Sequence, residues 1–288
     1  MTKYIGLRLF MPLAGRFPRF FYGFAFVMGW IVWRLHGPTR RQVVSNLLPA
    51  CDGDRRRANT EALKAIRNVA RYYVDLATLP HRDIENYERD HITLVHGERL
   101  TVLSEPGPII VISAHMGDPE LAIQALTVRG QPFVALVEAL QPQRVADYLL
   151  ELRSSAGGTF HEADFGGLRA CLDALKGGGL LGMVGDRDLQ GNGVTTTLFG
   201  RCVKLPVGPW ELARRTGATV LPVFAARRGM DDMTLFVEEP ICVRSDGDAG
   251  EAVRQAVALW TTILERNLRR EPGQWTVMED YWKVHRCG

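Results

Sequence analysis

Pro108-Ile109-Ile110-Val111-Ile112-Ser113-Ala114-His115-Met116-Gly117-Asp118-Pro119-Glu120 is the stretch that decides the fold. Its first part, Pro108 to Ile112, is a hydrophobic run that reads as a buried strand. The run ends in Ser-Ala-His. Asp118 and Pro119 then supply a helix N-cap and a first helical position, and Leu121, Ile123 and Leu126 follow at helical spacing. His115 therefore sits at the mouth of a strand and Glu120 in the first turn of a helix. On one helix, residues five apart point to different faces. Across a strand–turn–helix they can meet. A carboxylate that meets an imidazole fixes its tautomer and raises its basicity, as a general base requires. The bland alternative is a histidine that satisfies backbone carbonyls and a glutamate that favours the helix dipole.

Working outward, the pattern from residue 93 alternates. Strands are expected at 108–114, 132–138, 180–185, 195–199, 219–226 and 233–240, and helices at 119–129, 141–155, 165–177, 207–217 and 248–270. Alternation of this kind predicts an α/β fold, a central, mostly parallel sheet flanked by helices on both faces. Functional residues in such sheets gather beyond the strand C-termini. His115 and Asp186 each follow a strand, so both are expected at the same crevice.

The N-terminus differs. Phe20-Phe21-Tyr22-Gly23-Phe24-Ala25-Phe26-Val27-Met28-Gly29-Trp30-Ile31-Val32-Trp33 carries no charge, with Arg16 and Arg19 before it and Arg34, Arg40 and Arg41 after it. Fourteen helical residues reach about 21 Å, short of the roughly 30 Å of a bilayer's hydrocarbon core. Aromatics flanked by arginines suit a helix lying in the membrane interface. A buried core helix is the alternative. The chain thus divides into a membrane-associated segment, 1–38, and an enzyme domain, 39–288. Early in that domain, Asp54-Arg55-Arg56-Arg57 leads into a helix with apolar spacing from Leu63 to Ala77. Its arginines either meet anionic headgroups or form a solvated helix end.

A net charge of +3 does not indicate a nucleic-acid partner. The five cysteines, Cys51, Cys171, Cys202, Cys242 and Cys287, show no C-x-x-C spacing. They read as reduced thiols in a cytosolic compartment, with no zinc site. Gly177-Gly178-Gly179 reads as a turn, because no Gly-Lys-Ser/Thr follows it. No G-x-S-x-G elbow is present, so a serine-hydrolase mechanism lacks its nucleophile.

The order of blocks resembles the late acyltransferases of lipid A biosynthesis, including the related phosphatidylinositol mannoside acyltransferases. The resemblance runs through Leu94-Val95-His96-Gly97-Glu98-Arg99-Leu100 and His115 to Glu120. It continues in Gly185-Asp186-Arg187-Asp188, Leu198-Phe199-Gly200-Arg201, Leu212-Ala213-Arg214-Arg215-Thr216-Gly217-Ala218 and Pro272-Gly273-Gln274-Trp275. It spans roughly Arg40 to Trp282. Two departures stand out. Asp118-Pro119 replaces the family's usual Asn-Trp. Asp186-Arg187-Asp188, where many lipid A enzymes have Asp-Gln, looks more like the phosphatidylinositol mannoside enzymes.

The resemblance implies a glycerolipid-acyltransferase-like fold and transfer of a fatty acyl chain from a thioester to a hydroxyl of a lipid A precursor-like glycolipid. It also implies the cytoplasmic face of a bacterial inner membrane, with a lipid acceptor and either coenzyme A or acyl carrier protein as carrier and co-substrate. No cofactor or metal is expected. His115 is the expected base, oriented by Glu120. Arg187 is expected to bind phosphate or carbonyl, held by Asp186 and Asp188, or else to belong to a structural ion-pair cluster. Arg153 either faces the crevice or ends a solvated helix, and Gly117 allows a close backbone approach or a tight turn. Other acceptors, a phosphatidylinositol mannoside or a lysophospholipid, keep the same chemistry. A lipid-binding protein that has lost catalysis is the rival from another class.

Overall fold

The computed structural model describes residues 2–127, 133–138 and 140–287. Positions 128, 129 and 132, at the ends of an expected helix and an expected strand, lie outside them. In chain order the helices are α1 (Thr2–Arg16), α2 (Pro18–Leu35), α3 (Gly37–Leu47), α4 (Arg55–Thr78), α5 (Ile84–His91), α6 (Pro119–Thr127), α7 (Gln143–Ser154), α8 (Phe165–Lys176), α9 (Gly208–Thr216), α10 (Ala249–Arg270) and α11 (Tyr281–Val284). The strands are β1 (Ile92–Val95), β2 (Ile109–Ser113), β3 (Phe133–Val137), β4 (Thr159–Glu162), β5 (Leu180–Val184), β6 (Val194–Leu198), β7 (Arg201–Leu205), β8 (Thr219–Arg227), β9 (Met233–Val237) and β10 (Ile241–Cys242).

The main sheet runs β1-β9-β8-β2-β5-β3-β4, with β10 added to β8. From β8 to β4 every neighbouring pair is parallel, whereas β9 and β10 pair antiparallel with β8. The expected mostly parallel sheet is therefore present. A parallel sheet is covered on both faces, so its strands read as continuous apolar runs, and all five residues of β2 are buried. Ile110 and Ile112 face Trp210 of α9 and Trp260 of α10 in one core. Ile109 and Val111 join Leu121 of α6, Leu149 of α7 and Met11 of α1 in the other.

Sequence reading passed over β1, β4, β7 and β10. These strands are short, and β7 shows only two buried residues among its five. β7 pairs with β6 through a two-residue turn at Phe199-Gly200 in which both residues have positive φ. A non-glycine residue in that region is uncommon, which hid the hairpin.

The cysteine reading needs correction. Cys202 and Cys287 form a disulfide, with Cα atoms 5.6 Å apart. The cause is the bridge from Arg286 to Val203, which brings the C-terminal segment beside β7. Cys51, Cys171 and Cys242 remain free thiols.

The N-terminal helices lie against α4. Tyr22, Ala25 and Gly29 of α2 are buried there, and a Cβ on Gly29 would stand 2.6 Å from the Arg67 Cγ. The opposite face of α2 exposes Phe20, Phe24 and Val27, Trp30 is exposed at its side, and Arg67 of α4 lies over the half-exposed Phe26 ring at 3.5 Å. Among the described residues, no helix is long and apolar enough to cross a membrane.

Candidate active site

The register of β2 and β5 builds the site. Ser113 pairs with Val184, and each chain then runs two residues further, to His115 and Asp186. The two side chains meet beyond the strand C-termini, at the crevice expected for them. His115 Nδ1 lies 2.7 Å from Asp186 Oδ1, and the His115 backbone N–H donates to Oδ2 at 3.2 Å. Trp275 Nε1–H also donates to Oδ2, at 2.8 Å. Asp186 is fully buried while His115 keeps 30% of its side chain exposed. Burial opposes the Asp186 charge, but the His115 ring and the N–H donors outweigh it and hold its pKa below the usual carboxylate range. An ionised Asp186 fixes the Nδ1–H tautomer and leaves the Nε2 lone pair unspent.

The loop that carries His115 is stitched to the segment 274–276. His115 C=O accepts from the Thr276 N–H at 2.8 Å and from the Thr276 hydroxyl at 3.0 Å. Gly117 N–H donates to Gln274 C=O at 3.0 Å. Gly117 itself has φ +62°, and a Cβ there would stand 2.5 Å from the Ala225 carbonyl oxygen. Both readings of Gly117 therefore hold: the turn is left-handed and the backbone of β8 approaches closely. Tyr281 completes the cradle by donating its hydroxyl to the Asp186 C=O at 2.9 Å.

Glu120 is not the partner of His115, which corrects the expected pair. The helix α6 turns Glu120 toward Arg153, whose Nε donates to both carboxylate oxygens at 3.0 Å. The Tyr72 hydroxyl donates to Glu120 at 2.9 Å and accepts from Arg153 at 2.8 Å. Burial, and then the Glu120 charge, push the Tyr72 phenol well above its usual range. Arg153 is buried at the crevice and is not a solvated helix end. The partners of Arg187 also differ from expectation. Its Nε and one Nη grip the two oxygens of Glu279 at 2.7 and 2.9 Å, and its other Nη reaches Glu138 at 3.4 Å. Asp186 serves His115 instead, and Asp188 accepts from the Gly191 and Gly193 N–H groups, pinning the loop. Two acids that flank an arginine cannot both face its guanidinium when the chain leaves a strand, because successive residues there diverge.

His115, Glu120, Arg153, Arg187 and Asp188 all line one cavity of about 490 Å³. Its depth is apolar, along Val111, Ile123, Leu126, Ala135 and Phe160. Gly182 lies in this wall, where a Cβ would come 2.2 Å from Ile123 Cδ1. Sequence reading missed Tyr72, Trp275, Thr276, Glu279 and Tyr281 as parts of the site. Of these, only Trp275 lies in a block that carries the family resemblance. Among the described residues, no group of three His, Cys, Asp or Glu side chains could hold a metal ion.

An α/β fold with an imidazole–carboxylate pair at the mouth of an apolar cavity defines a class suited to acyl transfer. The family described as bacterial lipid A biosynthesis acyltransferase matches residues 2–284, and the chain belongs to that family. It is an acyltransferase of lipid metabolism. It is similar to the phosphatidylinositol mannoside acyltransferase of Mycolicibacterium smegmatis, at 26% identity over 231 residues, 76% of this chain and 71% of that one. The protein of the same description from Mycobacterium tuberculosis is 24% identical over 225 residues, 76% of this chain and 69% of the other. Among solved structures, the 1-acyl-sn-glycerophosphate acyltransferase PlsC of Thermotoga maritima aligns over 91% of this chain and 100% of that one. The identity there is 16% and the TM-score 0.42.

Proposed function

We propose that this chain is a membrane-associated O-acyltransferase. It moves a fatty acyl chain from an acyl thioester, of coenzyme A or acyl carrier protein, to a hydroxyl of a lipid A precursor-like glycolipid. The observation that carries the reading is the His115–Asp186 pair at the polar mouth of a cavity with an apolar depth. His115 Nε2 takes the acceptor's hydroxyl proton as the oxygen attacks the thioester carbonyl carbon. The tetrahedral intermediate collapses, the C–S bond breaks, and the leaving thiolate receives the proton from His115. Asp186 stabilises the imidazolium that exists in between. The fatty chain lies along Val111, Ile123 and Ala135. Arg187 supplies a cation at the mouth for substrate phosphate or carbonyl oxygen. No covalent enzyme intermediate is needed, which agrees with the missing serine elbow.

A phosphatidylinositol mannoside is the second acceptor reading, favoured by Asp186-Arg187-Asp188 and by the names of the mycobacterial relatives. Residues 1–38 form the membrane-associated segment. Exposed Phe20, Phe24, Phe26 and Trp30, with Arg16, Arg19 and Arg34 around them, suit docking in the interface. Thioester carriers put the reaction on the cytoplasmic face of the inner membrane.

The test is turnover by the purified chain. Palmitoyl-CoA and palmitoyl-carrier protein are offered with lipids extracted from cells that lack the gene. Free thiol released only when a glycolipid is present, with that lipid gaining the label, supports the reading. Label arriving instead in a phospholipid formed from a lysophospholipid replaces the glycolipid acceptor. Lipid binding without thiol release makes the chain a binder and overturns the enzyme mechanism.

A further inference from the structure

Behind the loop that carries His115 lies a second polar cluster, wholly buried. Arg227, the last residue of β8, donates to Asp118 Oδ2 at 3.2 Å and forms an ion pair with Asp75 of α4. Asp75 in turn accepts from the Tyr22 hydroxyl of α2 at 2.5 Å. The four residues are 2–7% exposed. Arg82 reaches the Tyr22 oxygen at 3.5 Å and Asp231 at 3.5 Å, closing the cluster on its outer side. Burying such charges is expensive, and well-packed apolar residues often serve stability as well or better. Packing alone gives this cluster no reason to exist.

Its placement does. Asp118 stands three residues from His115 and caps α6 by accepting the Leu121 N–H at 2.9 Å. Arg227 also meets the loop's other tether, since its N–H donates to Gln274 Oε1 while Gln274 C=O accepts from Gly117. One residue thus holds the loop from both ends, through its guanidinium at Asp118 and its backbone N–H at Gln274. Tyr22 lies on the buried face of α2, opposite the exposed Phe20 and Phe24.

We infer that Asp118 and Arg227 are positioning residues for His115, and that Asp75 and Tyr22 extend this hold to α2, so that the seating of α2 is felt at the loop. The role of His115 rests on the acyl-transfer reading, so the test uses readouts that need no substrate. It is made on the full chain bound to vesicles of phosphatidylethanolamine and phosphatidylglycerol. The Tyr22→Phe variant removes one hydroxyl and leaves the apolar face of α2 intact. Amide hydrogen exchange is followed in the peptide 113–121, with β5 as control, and the ¹⁵N imidazole signal of His115 is recorded.

We expect exchange in 113–121 to quicken about fivefold, the worth of one buried hydrogen bond. The His115 signal shifts, while β5 and vesicle flotation stay as in the parent and the melting temperature falls by no more than about 2–4 °C. Asp118→Asn gives the larger effect at the same two places. The double variant gives less than the product of the two, because the residues act through one network. Parent-like exchange and an unmoved His115 signal in Tyr22→Phe overturn the coupling. So does loosening spread evenly over β5 and the loop, which marks a merely structural role. Loss of acyl transfer in the parent chain would sink the functional reading while leaving these readouts intact.

Discussion

The two sides of the cavity hold their carboxylates by opposite means. On the C-terminal side, Asp186 meets an imidazole, an indole N–H and a backbone N–H. On the α4 side, Asp118 and Glu120 each meet a buried guanidinium, from Arg227 and Arg153. Only the first side presents an imidazole to the cavity, where it can exchange a proton with a bound substrate. Arginine does not release its proton, and Asp118 is buried away from the cavity lining, so the second side holds shape and passes no proton to the cavity. Their ionisation diverges accordingly. The donors keep Asp186 below the usual carboxylate range, whereas burial pushes Asp118 up to about 7 although Arg227 opposes it. Changes on the first side should therefore strike the rate before the fold, and changes on the second the fold before the rate.

The largest effect is expected at Asp186. Asp186→Asn keeps the shape but withdraws the charge that fixes the His115 tautomer, and turnover should fall by about 10²–10⁴-fold. Thermal melting run alongside the rate assay checks that the fold survives. A loss of rate matched by a loss of fold would erase the contrast between the sides.

Glu120→Ala comes next and breaks the other side. It leaves the Arg153 guanidinium buried without its carboxylate, which costs about 3–5 kcal/mol. Urea denaturation should show that loss, with Glu120→Gln keeping part of the stability through a neutral hydrogen bond. If Glu120→Ala melts like the parent yet is inactive, Glu120 belongs with the chemistry after all.

How far the sequence could reveal this contrast is instructive. The apolar run to Ile112, the Asp118-Pro119 helix start and the alternation beyond residue 93 disclose the sheet and its helices. The strand ends also disclose the shared crevice of His115 and Asp186, because parallel neighbours deliver their next residues side by side. The partners were not legible. Glu120 finds Arg153 and Tyr72, 33 and 48 residues away, and Asp186 finds Trp275 across 89. Nearness in sequence favoured a His115–Glu120 pair, but the turn and the first helical residues carry Glu120 toward α4 and α7. Cys202 and Cys287 join across 85 residues with no spacing to announce them. The hidden strand β7 alternates too weakly to be seen.

Arg187 lies between the two extremes, since its guanidinium faces the cavity but is gripped by Glu279. Lysine keeps the charge and loses the fork, so Arg187→Lys should lower turnover by about tenfold while the melt moves little. Full activity would make the arginine a structural tie and assign it to the shape-holding side.

The smallest effect sharpens the ionisation contrast. In the unfolded chain Asp118 loses its proton near pH 4, but in the folded chain it does so near 7. Folded protein thus binds the proton more tightly between those values, and this group's contribution to stability falls as pH rises from about 4 to about 7. Asp186 runs the other way, because its lowered pKa gives stability that is lost only as pH falls through the acid range. Between pH 4 and 7 the melting temperature of Asp118→Asn should change less unfavourably than that of the parent, the difference growing as pH rises. Identical slopes would mean that Asp118 is ionised in the fold at every pH tested.

The central claim is that His115 is the base of an acyl transfer, and thioester turnover by purified His115→Ala tests it most directly. With the melt unchanged, thiol release in the presence of acceptor lipid should fall by at least about 10²-fold. A rate near that of the parent would contradict the account.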